Sequence, residues 1–204
     1  MNYLDHCSRF NLPLLLALLA AYALGGFNTG YWLVRWRKGQ DLRALGSGNA
    51  GARNVGRVLG PWGFGATLFG DMLKGMLPVL AVQLLGRSTT ECLLVALAVT
   101  AGHNWPAQLG FRGGKGLATS FGALLVFDPI LAGAMLGLCG VLLVATRRFT
   151  LSATLPYALC PALALLCGHD ALVAVLLAPL AAVVVLPHLR SLQEEFLPHP
   201  VASK

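Results

Sequence analysis

The chain has 204 residues, of which 56% are hydrophobic and only 11% charged, and its mean hydropathy is +0.70. A soluble domain of this length needs far more charge to cover its surface, so water-soluble classes of protein are excluded. The formal net charge of +7 would suggest a nucleic-acid partner in a soluble protein. In a chain this apolar it instead reflects orientation in a membrane, and no nucleic-acid partner is expected.

The apolar residues fall into six long runs, which is typical of membrane helices. The stretch 117–145 is too long for one span, and the turn signal at Asp128-Pro129 divides it into a short helix and a full one. We therefore predict a single-domain (1–204), all-α integral membrane protein with about seven transmembrane helices, one of them short. The predicted helices are 12–34 (broken by Gly25-Gly26), 62–85, 92–105, 117–126, 130–146, 150–167 and 171–187.

Lysine and arginine are distributed unequally between the two sides of these helices. The first run, of about 23 residues, is too long for a signal-peptide core, so we interpret it as a retained helix. If the segment after it is cytoplasmic, only Arg9 and Arg87 fall outside. The N-terminus is then predicted outside and the C-terminal tail in the cytoplasm. Twelve basic residues fall inside: Arg35, Arg37, Lys38, Arg43, Arg53, Arg57, Arg112, Lys115, Arg147, Arg148, Arg190 and Lys204.

The first polar cluster is GSGNAGARNVGR at 46–57. Its start matches the G-x-G-x-x-G pattern, but it follows a membrane helix rather than a strand, so a dinucleotide fold is excluded. Its glycines allow close backbone approach. Donors for an anion are supplied by Ser47, Asn49, Arg53, Asn54 and Arg57. On composition alone, an interfacial loop that contacts lipid headgroups is an equally good interpretation.

The second cluster runs from GHNWP (102–106) to GFRGGKG (110–116). It is not a Walker A loop, because Lys115 is followed by Gly116 rather than by serine or threonine. A Gly-Gly-Lys-Gly turn that opens a helix still suits phosphate, since the helix N-terminus and the lysine both favour negative charge. His103, taken alone, is more often a satisfied or interfacial histidine than a catalyst.

Ionisable residues also occur inside the second apolar run, where Asp71 and Lys74 stand three positions apart. Such groups are costly in a membrane and are usually paired or functional, and both readings stay open here. Four cysteines lie in apolar runs, with no Cys/His cluster, so neither a metal nor an organic cofactor is expected. A fourth polar group stands at predicted helix ends: Arg147, Arg148, Thr150, Ser152, His188 and Ser191.

Two common catalytic templates are absent from the sequence. Five positions after His103 stands Gln108, so the H-x-x-x-x-D spacing of the common glycerolipid acyltransferases does not occur. No G-x-S-x-G elbow occurs either.

The chain nevertheless resembles one family, the bacterial acyl-phosphate-dependent glycerol-3-phosphate acyltransferases, or PlsY family. The resemblance spans most of the chain in the right order and separation. Its segments are GSGNAGARNVGR (46–57), GDMLKG (70–75), GHNWPAQLGFRGGKGLATSFG (102–122) and, more weakly, RRFTLS (147–152) and HLRS (188–191).

The resemblance implies a seven-helix protein of the bacterial cytoplasmic membrane, with its site at the cytoplasmic face. It also implies transfer of a fatty acyl group from acyl phosphate to the 1-hydroxyl of glycerol 3-phosphate, without an acyl-enzyme. The catalytic residues it implies are Ser47, Arg57, Lys115 and His188. The substrate-binding residues it implies are Gly46, Gly48, Asn49, Arg53, Asn54, Lys74, His103, Asn104, Arg112, Gly113, Gly114, Gly116, Thr150, Ser152 and Ser191.

Three positions depart from the family pattern: Arg53 stands where threonine is usual, Arg148 where tyrosine is usual, and Ser191 where asparagine is usual. A serine hydroxyl can replace one hydrogen bond of an amide, not two. These departures motivate one alternative, a catalytically weak paralogue that binds lipid precursors. The intramembrane Asp71 and Lys74 motivate another, an anion or lipid transporter. We favour the acyltransferase because the main donors of the resemblance are retained.

Overall fold

The structure is a computed structural model that describes residues 12–197, and every regular element in that range is helical. The initial residues, 1–11, and the last seven, 198–204, lie outside the described range, as do the predictions for Arg9 and Lys204. The helices are α1 (Leu12–Gly26), α2 (Thr29–Lys38), α3 (Ala52–Leu59), α4 (Pro61–Leu84), α5 (Thr89–Asn104), α6 (Leu117–Phe127), α7 (Pro129–Thr146), α8 (Phe149–Ala158), α9 (Cys160–Leu166), α10 (Ala171–Val185) and α11 (Leu189–Phe196).

Several of these helices are long and apolar enough to cross a membrane. Four stretches qualify, and α8 with α9 makes a fifth if this pair, bent by 58°, counts as one span. All seven predicted segments are helical, but α5 has 16 residues and α6 has 11, fewer than the roughly 20 that a bilayer requires. The chain is thus an all-helical integral membrane protein with four or five candidate spans, and seven crossings stay a prediction. The four stretches are Leu12–Lys38, Pro61–Leu84, Pro129–Thr146 and Ala171–Phe196.

Two local features differ from the sequence prediction. The polar stretch 35–60, predicted as a connection, contains the end of α2 and the eight-residue helix α3. The run 150–167, predicted as one helix, bends between α8 and α9. The bend coincides with Pro161 near the start of α9, because proline lacks an N–H and its ring crowds the preceding turn.

Glycines allow the two short helices to lie very close to their neighbours. A Cβ on Gly25 of α1 or on Gly102 of α5 would overlap a backbone carbonyl oxygen of the facing helix. Gly75 of α4 and Gly122 of α6 form the same kind of contact. Close backbone approach at small residues is a common way for membrane helices to associate. It fixes α5 and α6 against α1 and α4, and with them the connection between α5 and α6.

The helices leave two polar ends and an apolar outer surface. Outward-facing side chains such as Val144 and Leu166 are 82% and 84% exposed, as expected of a surface that meets lipid. We call one end the glycine-rich end, because the first glycine-rich segment (46–57) and the second glycine-rich segment (110–116) meet there. We call the other the opposite end, formed by the connections 85–88, 128 and 167–170.

Candidate active site

The first glycine-rich segment is shaped by the buried side chain of Asn54. Its Oδ1 accepts a hydrogen bond from the backbone N–H of Ser47 at 2.9 Å. Its Nδ2 donates to the carbonyl oxygens of Leu45 at 2.8 Å and Leu42 at 3.3 Å. Gly46, with φ of 56°, passes so close to Asn54 that a Cβ would overlap Oδ1. Both polar atoms of Asn54 are therefore engaged by the backbone, while the Ser47 side chain stays exposed.

Helix α3 presents two arginines at the glycine-rich end. Val55 is fully buried in a small cluster with Val34, which holds one face of the helix against α2. Arg53 and Arg57, four positions apart, lie on another face and are exposed. The Arg53 guanidinium lies 4.3 Å from the centre of the Phe149 ring, at the start of α8. Arg57 pairs with no acidic side chain among residues 12–197.

The second glycine-rich segment is fastened to the C-terminal end of α5. The Gly113 N–H donates to the carbonyl oxygen of Asn104 at 3.0 Å, and the Gly114 N–H donates to that of His103 at 3.1 Å. These carbonyls belong to the last turn of α5, which lacks partners within the helix. Gly116, with φ of 78°, then caps the start of α6. The segment thus runs directly into a helix N-terminus.

Arg43 links the two glycine-rich segments. Its guanidinium pairs with Asp41 at 2.8 Å and also donates to the carbonyl oxygen of Leu109 at 2.6 Å. The Arg43 hydrogen bonds hold the pKa of the Asp41 carboxyl below its usual range, so the pair stays ionised. The two segments border a cleft of about 350 Å³, lined by Arg43, Gly48, Arg112 and Gly113.

Lys115 is half-buried where the second glycine-rich segment meets α11. Its Nζ donates to Ser191 Oγ at 2.5 Å. Burial lowers the pKa of Lys115; the charge of Glu194 opposes this shift, and the charges of Arg53 and Arg190 add to it. This surplus of positive charge makes an anion the natural occupant of the space beside the lysine.

His188 lies below this group of charges, at the end of α10. It is buried, and its Nδ1 donates to the carbonyl oxygen of Val184 at 2.7 Å. Because a carbonyl can only accept, Nδ1 carries the proton and Nε2 is the acceptor of the neutral ring. The ring feels the charges of Lys115 and Arg53. His188 therefore adds an acceptor to a site otherwise rich in donors.

The start of α8 is held by a glutamate from α11. Glu195 accepts hydrogen bonds from the backbone N–H groups of Thr150 at 2.7 Å and Leu151 at 3.1 Å. Ser152 Oγ donates to the carbonyl oxygen of Arg148 at 2.7 Å. Free N–H groups at a helix start need such partners. Glu195 thus supports the helix that carries Phe149, the ring under Arg53.

The predicted polar clusters lie close together in the fold, but some of their side chains are at the surface and others are buried. Arg43, Glu194 and Glu195 were missed by the sequence prediction. Arg43 adjoins the first glycine-rich segment and could have been noticed there, whereas no local signal marks the glutamates. Among residues 12–197, no group of three potential metal ligands occurs. Predicted side chains at or near the surface are Ser47, Asn49, Arg53, Arg57, Arg112, Lys115 and Ser191; those buried within the protein are Asn54, Lys74, His103, Asn104, Thr150, Ser152 and His188.

Comparison with known proteins identifies the family. Residues 15–196 match the family model described as glycerol-3-phosphate acyltransferase. The chain belongs to this family. "Glycerol-3-phosphate acyltransferase 1" of Desulfitobacterium hafniense is 45% identical over 181 residues, which cover 88% of this chain and 89% of the relative. The glycerol-3-phosphate acyltransferase of Rubrobacter xylanophilus is 42% identical over 158 residues, 78% of each chain.

Two solved structures share the fold. A crystal structure of PlsY (YgiH), an integral membrane glycerol 3-phosphate acyltransferase, in its glycerol 3-phosphate form superposes with a TM-score of 0.82 at 29% identity, over 89% of this chain and 91% of that one. The lysophosphatidic acid form gives 0.79 at 26% identity, with the same coverage. Membership of the glycerol-3-phosphate acyltransferase family confirms the resemblance read from the sequence and the assignment to acyltransferases of lipid biosynthesis.

Proposed function

We propose that this protein transfers a fatty acyl group from acyl phosphate to the 1-hydroxyl of glycerol 3-phosphate, releasing lysophosphatidate and inorganic phosphate. The observation that carries the proposal is that the two glycine-rich segments meet near Lys115, at the glycine-rich end of a fold shared with glycerol-3-phosphate acyltransferases. Both substrates carry phosphate, and this end offers cationic side chains and the N-terminus of α6 rather than an activated nucleophile. An acyl phosphate is already activated, so the site must mainly orient the substrates and stabilise charge.

In the proposed step, the glycerol hydroxyl oxygen bonds to the acyl carbon and the bond from that carbon to the phosphate oxygen breaks. The hydroxyl proton goes to the departing phosphate, and no oxidant or reductant is needed. Because the glycerol oxygen attacks the donor directly, no acyl-enzyme forms. The donor phosphate is held by the side chains of Lys115 and Ser47 and by the N–H groups at positions 115 and 116, because the N–H groups of 113 and 114 already donate to α5. The helix start at Gly116 adds favourable partial charge.

Glycerol 3-phosphate, in this proposal, is held by Arg57 with help from His188. Arg57 is exposed and without an acidic partner in the described part of the chain, and the His188 Nε2 is available as an acceptor. Asn54 contributes by shaping the backbone at Ser47, because its own polar atoms are engaged. The acyl tail lies in a groove between helices that opens to the lipid. No cofactor takes part.

We further propose that the chain crosses a bacterial cytoplasmic membrane seven times, with its N-terminus outside and the site facing the cytoplasm. The excess of lysine and arginine on the glycine-rich end supports this orientation. A cytoplasmic site would also meet glycerol 3-phosphate, a charged metabolite that does not cross lipid unaided. The orientation is tested by placing a protease site or a cysteine at each polar end of the bundle and measuring its accessibility in intact and opened vesicles. A glycine-rich end that is accessible from outside would overturn the proposed orientation.

The test of the reaction is phosphate release by the purified protein supplied with palmitoyl phosphate. We expect release that requires glycerol 3-phosphate, yields lysophosphatidate and falls at least about 100-fold in Lys115→Ala. Arg87→Ala, which removes a cation at the opposite end, is the matched control and should keep its activity. Absence of release from folded wild-type protein would refute the donor assignment, and parallel assays with acyl-CoA and acyl-carrier protein would show whether another donor serves.

A further inference from the structure

Three ionisable side chains lie buried together beneath the second glycine-rich segment. Asp71 and Lys74 come from α4 and His103 from α5, and they are 2%, 4% and 3% exposed. Lys74 Nζ lies 3.0 Å from Asp71 Oδ1 and 2.8 Å from His103 Nδ1. Charged groups in the interior of a membrane protein are costly and persist where they do something specific.

The ammonium group of Lys74 is enclosed by protein groups. Its Nζ donates to the carbonyl oxygen of Phe27 at 2.9 Å and lies within 3.0 Å of both His103 Nδ1 and Asp71 Oδ1. These three contacts and the burial of the side chain keep a substrate phosphate away from the ammonium. The contact with Phe27 also ties the cluster to the break between α1 and α2, so that three parts of the bundle meet at one side chain.

The other side of His103 supports the glycine-rich backbone. A Cβ on Gly114 would overlap the His103 Nε2 atom, and it would lie 2.7 Å from Cε1. The backbone of Gly113 and Gly114 is at the same time hydrogen-bonded to the end of α5. Because the Lys74 ammonium donates to Nδ1, the ring proton resides on Nε2 and the ring orientation is fixed. The imidazole thus packs directly against the backbone of the second glycine-rich segment.

We infer that Asp71, Lys74 and His103 are positioning residues, which set the height and angle of the 113–116 backbone and so of Lys115, and that none of them touches substrate. The inference rests on the proposed function of that segment as the donor-phosphate site. It assigns an indirect role to Lys74 and His103, which the family resemblance had suggested as substrate-binding residues. It also gives the buried ion pair a purpose that a transport pathway would not, since a lysine enclosed by Asp71, His103 and Phe27 is not free to exchange ligands.

A size exchange between Gly114 and His103 tests the inference. The readouts are kcat, KM for palmitoyl phosphate, and the Kd of hexadecyl phosphate, a long-chain phosphate that cannot transfer an acyl group. We expect Gly114→Ala to lose at least about 100-fold in kcat/KM and His103→Ala about tenfold, since misplacement of the segment costs orientation. Because the shortened side chain makes room for the new methyl group, the double variant should recover at least about tenfold over Gly114→Ala.

A double variant that is no more active than Gly114→Ala, and binds hexadecyl phosphate no better, would overturn the inference, because a directly acting imidazole cannot be compensated by making space. Wild-type protein that binds hexadecyl phosphate but transfers no acyl group would instead refute the proposed function. In that case the Kd values of the same four proteins still decide the positioning role. A wild-type protein that neither binds nor transfers would refute both.

The charged pair is tested through stability and affinity measured side by side. We expect Asp71→Asn to raise the hexadecyl phosphate Kd at least about fivefold, and Asp71→Asn/Lys74→Met to restore part of the affinity by removing the unpaired charge. Asp128→Asn, which breaks a partly buried ion pair at the opposite end, controls for lost stability and should leave the Kd unchanged. If Asp71→Asn lowers only the melting temperature, with kcat, KM and Kd of the folded protein unchanged, the cluster is merely structural and the inference is wrong.

Discussion

The two polar ends of the helix bundle treat their ionisable groups differently. At the opposite end, Asp128 caps α7 through the Ile130 N–H at 2.7 Å and also lies 2.5 Å from His169 Nε2. Glu91 forms a capping box with Ser88 and pairs with Arg87 at 3.6 Å. Each of these carboxylates is matched by a helix N-terminus and a basic side chain. The polar groups there stabilise the turns that join the helices.

At the glycine-rich end, positive charge exceeds negative charge. Arg57 and Arg112 have no acidic partner within residues 12–197, and Lys115 donates to a neutral hydroxyl. Because Gly113 and Gly114 already donate their N–H groups to α5, the surplus donors at this end are mainly basic side chains. The opposite end therefore pairs its carboxylates within the protein, whereas the glycine-rich end keeps surplus positive charge, an arrangement that favours an anionic ligand.

The largest effect on this contrast is expected from Asn54→Leu. The change leaves the Ser47 N–H and two carbonyl oxygens without partners, each at about 1–3 kcal/mol where the group stays buried. We expect kcat/KM to fall by about 100-fold or more, because the first glycine-rich segment loses its shape. Gln40→Leu, an exposed change in the same connection, is the control for added hydrophobicity. Activity within twofold of wild type would show that Asn54 does not shape the site.

The helix boundaries beside Asp128 could be predicted because their signals are local. An aspartate followed by proline caps one helix start and stops the helix before it, and the structure ends α6 and begins α7 within one residue of the predicted limits. Helix α3 could not be predicted in this way. Its sequence is polar and glycine-containing, and burial of Val55, with Val58 and Leu59 packed against the same cluster, makes it stable.

The candidate site shows the same difference between local signals and contacts that form only on folding. Glycine-rich segments and Lys115 are visible in the sequence because a glycine-rich turn that opens a helix and an adjacent lysine are local signals. The contacts that position them are not visible, since Glu195 and Thr150 are 45 residues apart and Arg43 and Leu109 are 66 apart. Such pairs arise only when the helices pack. Sequence patterns therefore identified what could bind an anion, and the fold identified what holds those groups in place.

The second largest effect concerns the alkaline limit of activity. Burial lowers the pKa of Lys115, so in the free protein the ammonium loses its proton below the ordinary lysine value of about 10.4. We expect kcat/KM to fall as pH rises through this lowered pKa, whereas Lys115→Arg, which stays charged, should be less active near neutral pH but lack that fall. Because bound phosphate stabilises the ammonium, kcat should hold to higher pH than kcat/KM. Identical alkaline profiles for the two proteins, after correction for spontaneous hydrolysis of the acyl phosphate, would exclude Lys115 as the titrating group.

A smaller change is expected from Ser191→Asn, which restores the residue usual in the family. The Ser191 hydroxyl oxygen accepts a hydrogen bond from Lys115. A hydroxyl that accepts from the lysine keeps one O–H donor, whereas an amide that accepts from it keeps two N–H donors for a phosphate, so we expect KM for glycerol 3-phosphate to fall by roughly threefold, about 0.6 kcal/mol. Ser191→Ala should raise it. If asparagine and alanine change KM in the same direction, the residue acts through packing and not through its hydrogen bonds.

The smallest effect on catalysis, and the sharpest check of the comparison, belongs to Asp128→Asn at the opposite end. Although burial alone raises the pKa of the Asp128 carboxyl, its hydrogen bonds with His169 and with the Leu131 and Ile130 N–H groups lower it below the usual range. A carboxyl with a lowered pKa stabilises the fold above its unfolded value of about 3.9 and loses that contribution as pH falls. At pH 6 we therefore expect the variant to be less stable by about 1 kcal/mol, or roughly 2–4 °C in melting temperature, with kcat/KM unchanged. By pH 3 the two melting curves should approach each other. A loss of activity larger than the loss of folded protein would mean that the two ends are coupled. The assignment of stability to the opposite end and of activity to the glycine-rich end would then be wrong.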